Sequence, residues 1–342
     1  MNQTKEKNQD DKNEEILDVN FDNNLRPQEF SDFIGQKKAK KNFEIITKAA
    51  KLRGESLEHI LIYGPPGLGK TTLAQIIARF INTNIKVTSG PAIERSGDLA
   101  SILTNLSDND ILFIDEIHRL NKNVEEILYP AMEDYSLDLV LGKGPSAKTL
   151  RIDLPKFTLI GATTQAGLIS SPMRDRFGLI ERLNYYEVDE IEKIVERSAK
   201  ILKISIDKDA VKILANCSRR TPRLANRLLK RARDYAQVEN AKIINLDIAK
   251  ACLKMMEIDD LGLDKIDMTI LHTIIDKYSG GPVGLETIAA SVGEDVSTIS
   301  DIYEPYLMQI GFLDRTTRGR KVTTLAYRHL GLDNKNTENN IL

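Results

Sequence analysis

One eight-residue segment, Gly64–Thr71, constrains this chain more than any other feature, because it has the spacing G-x-x-x-x-G-K-T. It follows the apolar run His59–Tyr63 and precedes the helical pattern Thr72–Phe80. In such a loop the glycines let backbone N–H groups surround phosphate oxygens at a helix N-terminus. The sequence therefore predicts a phosphate-binding loop in which Lys70 reaches the phosphates and Thr71 is a Mg²⁺ ligand.

Short apolar runs alternate with helical patterns between residues 25 and 186. The runs are His59–Tyr63, Ile85–Thr88, Asp110–Ile114 and Phe157–Gly161. Strands that read as unbroken apolar runs are usually covered on both faces. The fold class predicted for this region is therefore α/β, a parallel sheet between layers of helices.

Beyond residue 187 the apolar runs stop and helical patterns continue. They cover Ile191–Ile204, Ala210–Cys217, Pro222–Val238 and Leu246–Met255, then Ile266–Lys277, Leu285–Val292 and Val296–Met308. A hairpin that turns near Arg318-Gly319 is predicted over 311–322. We expect a large domain over 25–186, a small helical domain over 187–257 and a third domain over 258–332. Residues 1–24 and 333–342 are rich in Asn, Asp, Glu and Lys, and such segments favour disordered tails.

Charge and composition exclude several classes of protein. Lys and Arg total 48 against 50 Asp and Glu, so no global basic field attracts nucleic acid, although a local patch remains possible. No apolar run approaches the roughly 18 residues of a membrane span, and the N-terminus has no signal-peptide core. A cytoplasmic protein is expected. The two cysteines, Cys217 and Cys252, are too few and too far apart for a disulfide framework or a zinc ribbon.

A second motif completes the phosphate-binding loop. The run Asp110–Ile114 ends in Asp115 and Glu116. Asp115 is predicted to hold Mg²⁺, through water, and Glu116 to polarise an attacking water. The alternative is a strand end capped by two solvated acids. Together the two motifs favour ATP hydrolysis over ATP binding alone.

Phosphoryl transfer also needs positive charge on the phosphate oxygens, and an arginine from a neighbouring subunit can raise the rate by about 10³–10⁵. The segment Ser170–Phe177 offers Arg174 and Arg176. A surface helix with an Arg–Asp–Arg ion pair is the alternative for this segment.

These motifs, with Gly161–Thr164 and Thr221–Arg223, resemble those of the AAA+ ATPases. The segments Leu61–Leu73, Tyr129–Tyr135 and Gly311–Leu313 are similar to the RuvB family of bacterial Holliday junction branch-migration motors, and the likeness runs from about Leu25 to Leu332. It implies a AAA+ core, a helical lid and a C-terminal winged helix. It also implies ATP and Mg²⁺ as cofactors, a homohexamer ringing duplex DNA, RuvA as partner at a four-way junction, and RuvC acting afterwards in recombination and repair.

The resemblance assigns roles to individual residues. Those implied to hold the nucleotide are Leu25 and Arg26 with Phe33–Gly35 and Tyr186 at the adenine, Gly67, Lys70, Thr71 and Thr72 at the phosphates, and Glu133, Asp134 and Tyr135. Those implied to sense or stabilise the γ-phosphate are Thr164, with Thr163 as the alternative, Arg223, and Arg176 acting on a neighbour's ATP with Arg174 beside it. Arg220 stands where the family usually has glycine.

Two hairpins complete the implied function. The first, over 137–154, alternates apolar and polar residues. In the family this hairpin docks RuvA, which implies Leu150 and Ile152 as contacts. The alternative is that its apolar face packs on its own domain. The second carries Arg315, Arg318 and Arg320, of which Arg315 and Arg320 match the family's contacts to the DNA backbone. A solvated cationic turn is the alternative. For the whole chain, an initiator-like or clamp-loader-like ATP switch on DNA is the alternative function.

Overall fold

A computed structural model of the chain describes residues 24–141 and 148–332, without the side chains of 139–149. The two predicted tails lie outside these residues, apart from Asn24. The described residues form two compact units, of which one comprises residues up to 203 with 220–227, and the other 204–219 with the residues from 228 onward. The region predicted as a helical lid, 187–257, is thus divided between the two units.

The first unit is built on a parallel sheet. Its strands are β1 (Ile60–Tyr63), β2 (Ile85–Ser89), β3 (Ile111–Asp115), and two further strands, Thr158–Thr163 and Leu179–Arg182. All neighbouring pairs are parallel. The predicted α/β class is confirmed, and each of the four apolar runs forms a strand. The strand Leu179–Arg182 was not predicted, because charged Glu181 and Arg182 interrupt its apolar pattern.

A separate hairpin follows β3 along the chain and consists of β4 (Ser136–Leu141) and β5 (Lys148–Asp153). The remaining two strands of the parallel sheet are therefore β6 (Thr158–Thr163) and β7 (Leu179–Arg182). The sheet order is β2-β3-β6-β1-β7. Strands β3 and β6 are buried almost throughout, whereas β2 is largely accessible and Val87 is 51% exposed. The accessibility of β2 fits its position at one end of the strand order, where it has a neighbouring strand on one side alone.

Among its described residues, the first unit also contains six complete helices. They are α1 (Lys37–Arg53), α2 (Lys70–Ile81), α3 (Ser96–Thr104), α4 (Lys122–Glu133), α5 (Ser171–Asp175) and α6 (Val188–Ile201). Helix α2 starts directly at the phosphate-binding loop and buries Leu73, Ala74 and Ile77. Within the described ranges, no helix combines the length and the apolar character needed to cross a membrane.

The β4–β5 hairpin packs on its own domain at its base and is accessible further along. Leu137 pairs with Ile152, and Leu139 with Leu150, so these four positions share one face. Leu137 is fully buried and Ile152 packs against the core of the first unit. Leu150 is 47% exposed. The base of the hairpin is thus anchored on its own domain, and Leu150 belongs to the part that remains accessible.

The second unit is helical with one small hairpin. It contains α7 (Lys208–Asn216), the end of α8 (Pro222–Val238), α9 (Leu246–Met255), α10 (Lys265–Tyr278), α11 (Leu285–Val292), α12 (Val296–Thr298), α13 (Glu304–Gln309), β8 (Leu313–Thr316), β9 (Gly319–Val322) and α14 (Thr324–His329). A π-helical turn, Ile299–Tyr303, joins α12 to α13. The side chains of Leu271, Ile274 and Leu307 lie in one core with those of Leu313 and Val322. Three helical segments packed with a hairpin confirm the predicted winged helix.

An ionic cluster fixes the winged helix to the helical part of the same unit. Arg219 donates to Asp264 at 3.0 Å, to the buried carboxylate of Asp267, and to the carbonyl of Gly262 at 2.8 Å. Burial raises the pKa of Asp267 to about 7, against the opposing charge of Arg219. Removing one partner of such a buried pair is strongly destabilising.

The buried His59 makes the stability of the first unit depend on pH. Its Nε2 donates to the Met132 carbonyl at 3.0 Å, and its Nδ1 accepts from the Leu159 N–H at 2.9 Å. Burial lowers its pKa below the ordinary value of 6.5. Because the unfolded chain takes up the proton first, the free energy of unfolding should fall as the pH drops below 6.5, by at most ~1.4 kcal/mol per pH unit.

Guanidinium unfolding at pH 7.5, 6.0 and 5.0 measures this loss. His59→Asn removes the titrating group and is the matched control. We expect it to be less stable at pH 7.5 but less sensitive to acid than the wild type. An equal pH dependence in both proteins would show that His59 is not the group responsible.

Candidate nucleotide site and DNA-binding surface

The sheet order places the two sequence motifs side by side. Strands β1, β6 and β3 are neighbours and run parallel, so their carboxyl ends meet at one edge of the sheet. Tyr63 lies opposite Thr163, and Ile114 lies opposite Gly161. The phosphate-binding loop follows β1, Asp115 ends β3, and Thr164 follows β6. One sheet edge therefore brings together residues that are up to 100 positions apart.

A cavity of about 630 Å³ opens at this edge. This volume falls in the ~300–1,000 Å³ range of small-molecule sites. The predicted residues that line it are Leu25, Arg26, Phe33, Ile34, Gly67, Lys70, Thr71, Thr72, Asp115, Glu116, Tyr186 and Arg223. It has an apolar region as well as a polar one, which suits a nucleotide with a planar base and a charged phosphate chain.

The loop itself has the shape that phosphate binding needs. Gly67 and Gly69 adopt left-handed conformations, with φ of 77° and 101°. A Cβ at Gly67 would lie 3.1 Å from the Cβ of Arg223, and one at Gly69 would lie 3.1 Å from the ring of Phe33. Gly69 is the N-cap of α2 and supplies no side-chain cap, so the first-turn N–H groups face the loop. Such an end attracts anions.

Lys70 is held inside this loop. Its Nζ donates to the carbonyls of Gly64 at 2.8 Å and of Pro65 at 3.1 Å, and the residue is 7% exposed. Burial lowers the pKa of Lys70, and the charges of Glu116 and Asp115 oppose that shift. A buried ammonium group that is bonded to neutral carbonyls gains strongly from an anionic ligand such as a phosphate.

Thr71 and Asp115 line the same cavity and offer oxygen donors of the kind that Mg²⁺ prefers. Burial raises the pKa of Asp115, while the charges of Lys70 and Arg223 favour its ionised form. The residues present therefore fit a magnesium–nucleotide complex.

Glu116 is fixed by several neighbours. Its backbone is left-handed, with φ of 46°, which is uncommon for a residue with a side chain. Its Oε2 accepts from the Thr164 N–H at 3.2 Å and from the Thr164 hydroxyl at 3.0 Å. Nδ1 of His118 lies 3.2 Å from the same oxygen. Of the two sensor candidates Thr164 contacts Glu116, whereas the buried Thr163 bonds to His118 at 2.8 Å.

The start of α8 reaches the phosphate-binding loop. The Arg223 N–H lies 3.5 Å from the Gly67 carbonyl, and Arg223 lines the cavity. Before it, Arg220 has φ of 56°, and its carbonyl accepts from the Tyr186 N–H at 3.1 Å. Glycine adopts a left-handed conformation without strain, so Arg220 at this position carries the strain of a side chain.

Of the residues predicted for the nucleotide, Gly35 and Thr164 do not line the cavity, although Gly35 follows Ile34 and Thr164 bonds to Glu116. Glu133, Asp134, Tyr135 and Arg176 do not line it either. Arg176 pairs with Glu133 at 3.0 Å and stacks on the ring of Tyr129, 4.4 Å from its centre. Asp134 pairs with Arg151, and Tyr135 packs on the ring of Phe157. Arg174, the neighbouring candidate, donates to the carbonyls of Ala166 and Ile169. A role for these residues toward ATP requires the site of a neighbouring subunit.

The hairpin β8–β9 separates its arginines into two environments. Arg315 and Arg318 are exposed. Arg320 lies opposite Arg315, but its side chain is only 13% exposed and makes two 2.9 Å bonds to Glu304, whose side chain is 6% exposed. Arg320 therefore also has a structural role, which sequence reasoning did not predict.

Other residues of the site were missed. Arg197 and Asn226 line the cavity, and Arg197 donates to the Leu25 carbonyl at 2.9 Å. Both lie on helices with many exposed charged residues, so their pattern does not distinguish them. His118 follows Glu116 by two residues, and this closeness to the Asp115–Glu116 pair is the signal that could have found it.

Comparison with known proteins identifies the family. Three family profiles match in succession: the Holliday junction DNA helicase RuvB P-loop domain over residues 25–183, the RuvB AAA lid domain over 186–259, and the RuvB C-terminal winged helix domain over 260–331. The chain belongs to the RuvB family. The AAA+ fold expected from the motifs is thereby confirmed.

Individual relatives agree with this assignment. The Holliday junction branch migration complex subunit RuvB of Dehalococcoides mccartyi (strain CBDB1) is 59% identical over 323 residues, which cover 94% of this chain and 93% of that protein. The solved Thermotoga maritima RuvB Holliday junction branch migration motor is 51% identical with a TM-score of 0.84, covering 91% of this chain and 99% of the other. A mutant of that protein gives a TM-score of 0.85, with 51% identity and coverage of 90% and 99%.

Arg315 and Arg320, which lie opposite each other in the hairpin, should respond differently to substitution. Arg315→Ala removes an exposed cation, so we expect stability within ~0.5 kcal/mol of wild type. DNA affinity should fall equally for all sequences, with the salt slope smaller by about 1. Arg320→Ala leaves the buried Glu304 unpaired, so this variant should also lose ~3–5 kcal/mol of stability. Thermal unfolding and DNA binding at several salt concentrations measure both effects.

The control for Arg320 is the double variant Arg320→Ala with Glu304→Gln. It removes the unpaired charge, so it should recover part of the lost stability. The DNA-binding loss that then remains belongs to the Arg320 guanidinium itself. An Arg320→Ala variant as stable as the wild type would contradict the structural role.

Proposed function

We propose that this chain is the ATP-hydrolysing motor that drives branch migration of Holliday junctions in homologous recombination and repair. The observation that carries the proposal is the single cavity in which the phosphate-binding loop, the Asp115–Glu116 pair and Arg223 meet. An initiator or a clamp-loader subunit shares such a core. Membership of the RuvB family, with its winged helix, favours the motor.

The residues of the cavity divide the work. Leu25, Arg26 and Tyr186 hold the adenine. The N–H groups of the loop and Lys70 bind the phosphates, while Thr71 and Asp115 hold Mg²⁺. Bound ATP with Mg²⁺ supplies the phosphoryl group to be cleaved and the charge that neutralises its oxygens. Glu116 then orients and polarises the attacking water, with Thr164 fixing its carboxylate.

Hydrolysis also requires the subunits to cooperate. We infer a homohexameric ring in which Arg176 acts on the ATP of the neighbouring subunit, together with Glu133–Tyr135. Glu133 and Tyr129 hold the guanidinium of Arg176 in its own subunit, so its direction is set before it meets the neighbour. Pre-organised charge of this kind costs no reorganisation during the reaction.

Motion is transmitted through the start of α8. Arg223 lies at the phosphate-binding loop, so the helix that carries it responds to the presence of the γ-phosphate. Arg315 and Arg318, with part of Arg320, contact phosphates of duplex DNA. Such contacts carry no sequence information directly, as branch migration on any sequence requires.

The motor works with protein partners. Leu150 on the accessible part of the β4–β5 hairpin, with Ile152 at its base, is proposed as the contact to RuvA at a four-way junction. RuvC would act on the same junction afterwards. The proposed location of the complex is the cytoplasm.

Branch migration of a synthetic four-way junction tests the function directly. With Mg²⁺-ATP we expect strand exchange, and RuvA, the proposed partner at the junction, should accelerate it. Lys70→Ala, which lacks the phosphate-binding cation, should show no exchange and serves as the blank. ATP turnover without junction movement, with or without RuvA, would instead favour the ATP switch.

A mixing experiment tests whether Arg176 acts between subunits. Lys70→Ala lacks a working ATP site but keeps Arg176, and Arg176→Ala has the reverse defect. Each variant alone should be inactive. Mixed rings should recover part of the ATPase rate, at those subunit interfaces where an intact ATP site meets an intact Arg176. The steady-state ATPase rate across mixing ratios measures this recovery. If no ratio exceeds the two pure variants, Arg176 does not complete a neighbour's site.

A further inference from the structure

His118 lies beside the proposed catalytic carboxylate without a role in the function described so far. It belongs to the short 3₁₀ turn Ile117–Arg119 that follows β3, and its side chain is 8% exposed. Nδ1 lies 3.2 Å from Oε2 of Glu116 and 2.8 Å from the hydroxyl of Thr163. A single ring nitrogen thus touches the strand end that carries Glu116 and the strand end that carries the sensor threonines.

The chemistry of the neighbours determines where the hydrogen lies on the ring. The Thr163 hydroxyl oxygen already accepts from the Gln165 N–H at 2.9 Å and has a second lone pair. Glu116 is an acceptor when ionised. An Nδ1 lone pair pointing at a carboxylate oxygen 3.2 Å away would be repelled. An Nδ1 that carries the hydrogen instead donates between Oε2 of Glu116 and the oxygen of Thr163.

The carboxylate of Glu116 is consequently held at one oxygen. The Thr164 N–H, the Thr164 hydroxyl and Nδ1 of His118 all reach Oε2. Among the contacts of the described residues, this leaves Oε1 as the oxygen that can accept a proton from water. Two oxygens with different neighbours allow the carboxylate to keep one orientation while it acts.

The backbone of Glu116 is held equally closely. Its left-handed φ of 46° is unfavourable for a residue with a Cβ and persists only where the surroundings enforce it. A Cβ at Gly90 would lie 2.4 Å from the Glu116 carbonyl oxygen, so the turn packs directly on that glycine. The Arg119 N–H also donates to the Glu116 carbonyl at 2.9 Å. The backbone contacts thus fix the position of the Glu116 Cα, and His118 contacts the carboxylate at the end of its side chain.

We propose that His118 is a positioning residue for ATP hydrolysis, which donates from Nδ1 to Oε2 of Glu116 and so directs Oε1 toward the attacking water. This inference rests on the catalytic role proposed for Glu116. His118 does not touch the nucleotide cavity, so its effect belongs to the turnover step and not to ATP binding. A displacement of about 1 Å at a reacting group can cost 10²-fold in rate, which sets the scale of the expected effect.

Three substitutions separate positioning from packing. His118→Asn keeps an amide N–H where Nδ1 lies. His118→Gln moves the amide to the place of Nε2, and His118→Leu removes the donor altogether. We expect kcat to fall roughly 10- to 100-fold in the Leu and Gln variants and by no more than about 3-fold in the Asn variant. KM for ATP should stay within about 2-fold in all three, since the cavity is unchanged.

A purely structural histidine would give a different pattern. It would make the three variants lose kcat in proportion to their loss of thermal stability, with no rescue by asparagine. Equal losses in all three, or a Leu variant with the wild-type kcat, would overturn the proposal.

Glu116→Gln distinguishes this failure from that of the proposed function. We expect it to bind ATP and to lose turnover, and the addition of His118→Leu should then cause no further loss, because the two residues act through one carboxylate. Normal hydrolysis by Glu116→Gln would remove Glu116 from the mechanism and the positioning role with it. An inactive Glu116→Gln with an unaffected His118→Leu would overturn only the role of His118.

Discussion

The parallel arrangement of β3, β6 and β1 is the constraint on which the rest of the site depends. Parallel strands end at the same edge, and the order of these three places the sensor strand β6 between the loop strand and the acidic strand. Glu116 can then bond to Thr164 across the gap, because the register sets their strand ends level. An antiparallel pairing of any of these strands would move one motif to the opposite edge of the sheet.

The second requirement is that the helix start at Pro222 approaches the phosphate-binding loop closely. Gly67 makes this approach possible because it has no Cβ. A Cβ at this position would lie only 3.1 Å from the Cβ of Arg223. The chain reaches that point through a left-handed turn at Arg220, whose carbonyl is fixed by Tyr186. Tyr186 also lines the cavity, and its hydroxyl donates to the Leu68 carbonyl at 3.1 Å. Tyr186 is therefore bonded both to the phosphate-binding loop and to the turn that leads to Arg223.

Two of the arginines proposed to act between molecules are held by carboxylates within this chain. Arg176 rests on Glu133 and Tyr129, and Arg320 rests on Glu304. A long arginine side chain loses conformational entropy when it binds, and fixing it beforehand reduces that loss. The same contacts reduce the charge available outward, so the exposed Arg315 and Arg318 contribute the stronger field at the hairpin. The paired Arg176 and Arg320 thus have fixed orientations, whereas the exposed Arg315 and Arg318 present their charge to the outside.

Much of this architecture could be predicted from the sequence, because its signals are local. The spacing of Gly64–Thr71, the apolar run that ends in Asp115-Glu116 and the helical periodicities depend on neighbours a few residues apart, and they predicted the α/β core and the phosphate-binding part of the cavity. The resemblance to the RuvB family supplied the winged helix and the cavity residues Leu25, Arg26, Tyr186 and Arg223. Edge strand β7 was missed because an exposed edge tolerates the charges that mask its pattern.

Only the tertiary structure decided which polar and charged side chains contact one another. Examples are the ion pair of Arg320 with Glu304, the ion pair of Arg176 with Glu133, and the contact of His118 with Glu116. The physical reason is that a charged or polar side chain has the same local pattern whether it faces water or a buried partner. Its environment exists only once the strands have been placed side by side.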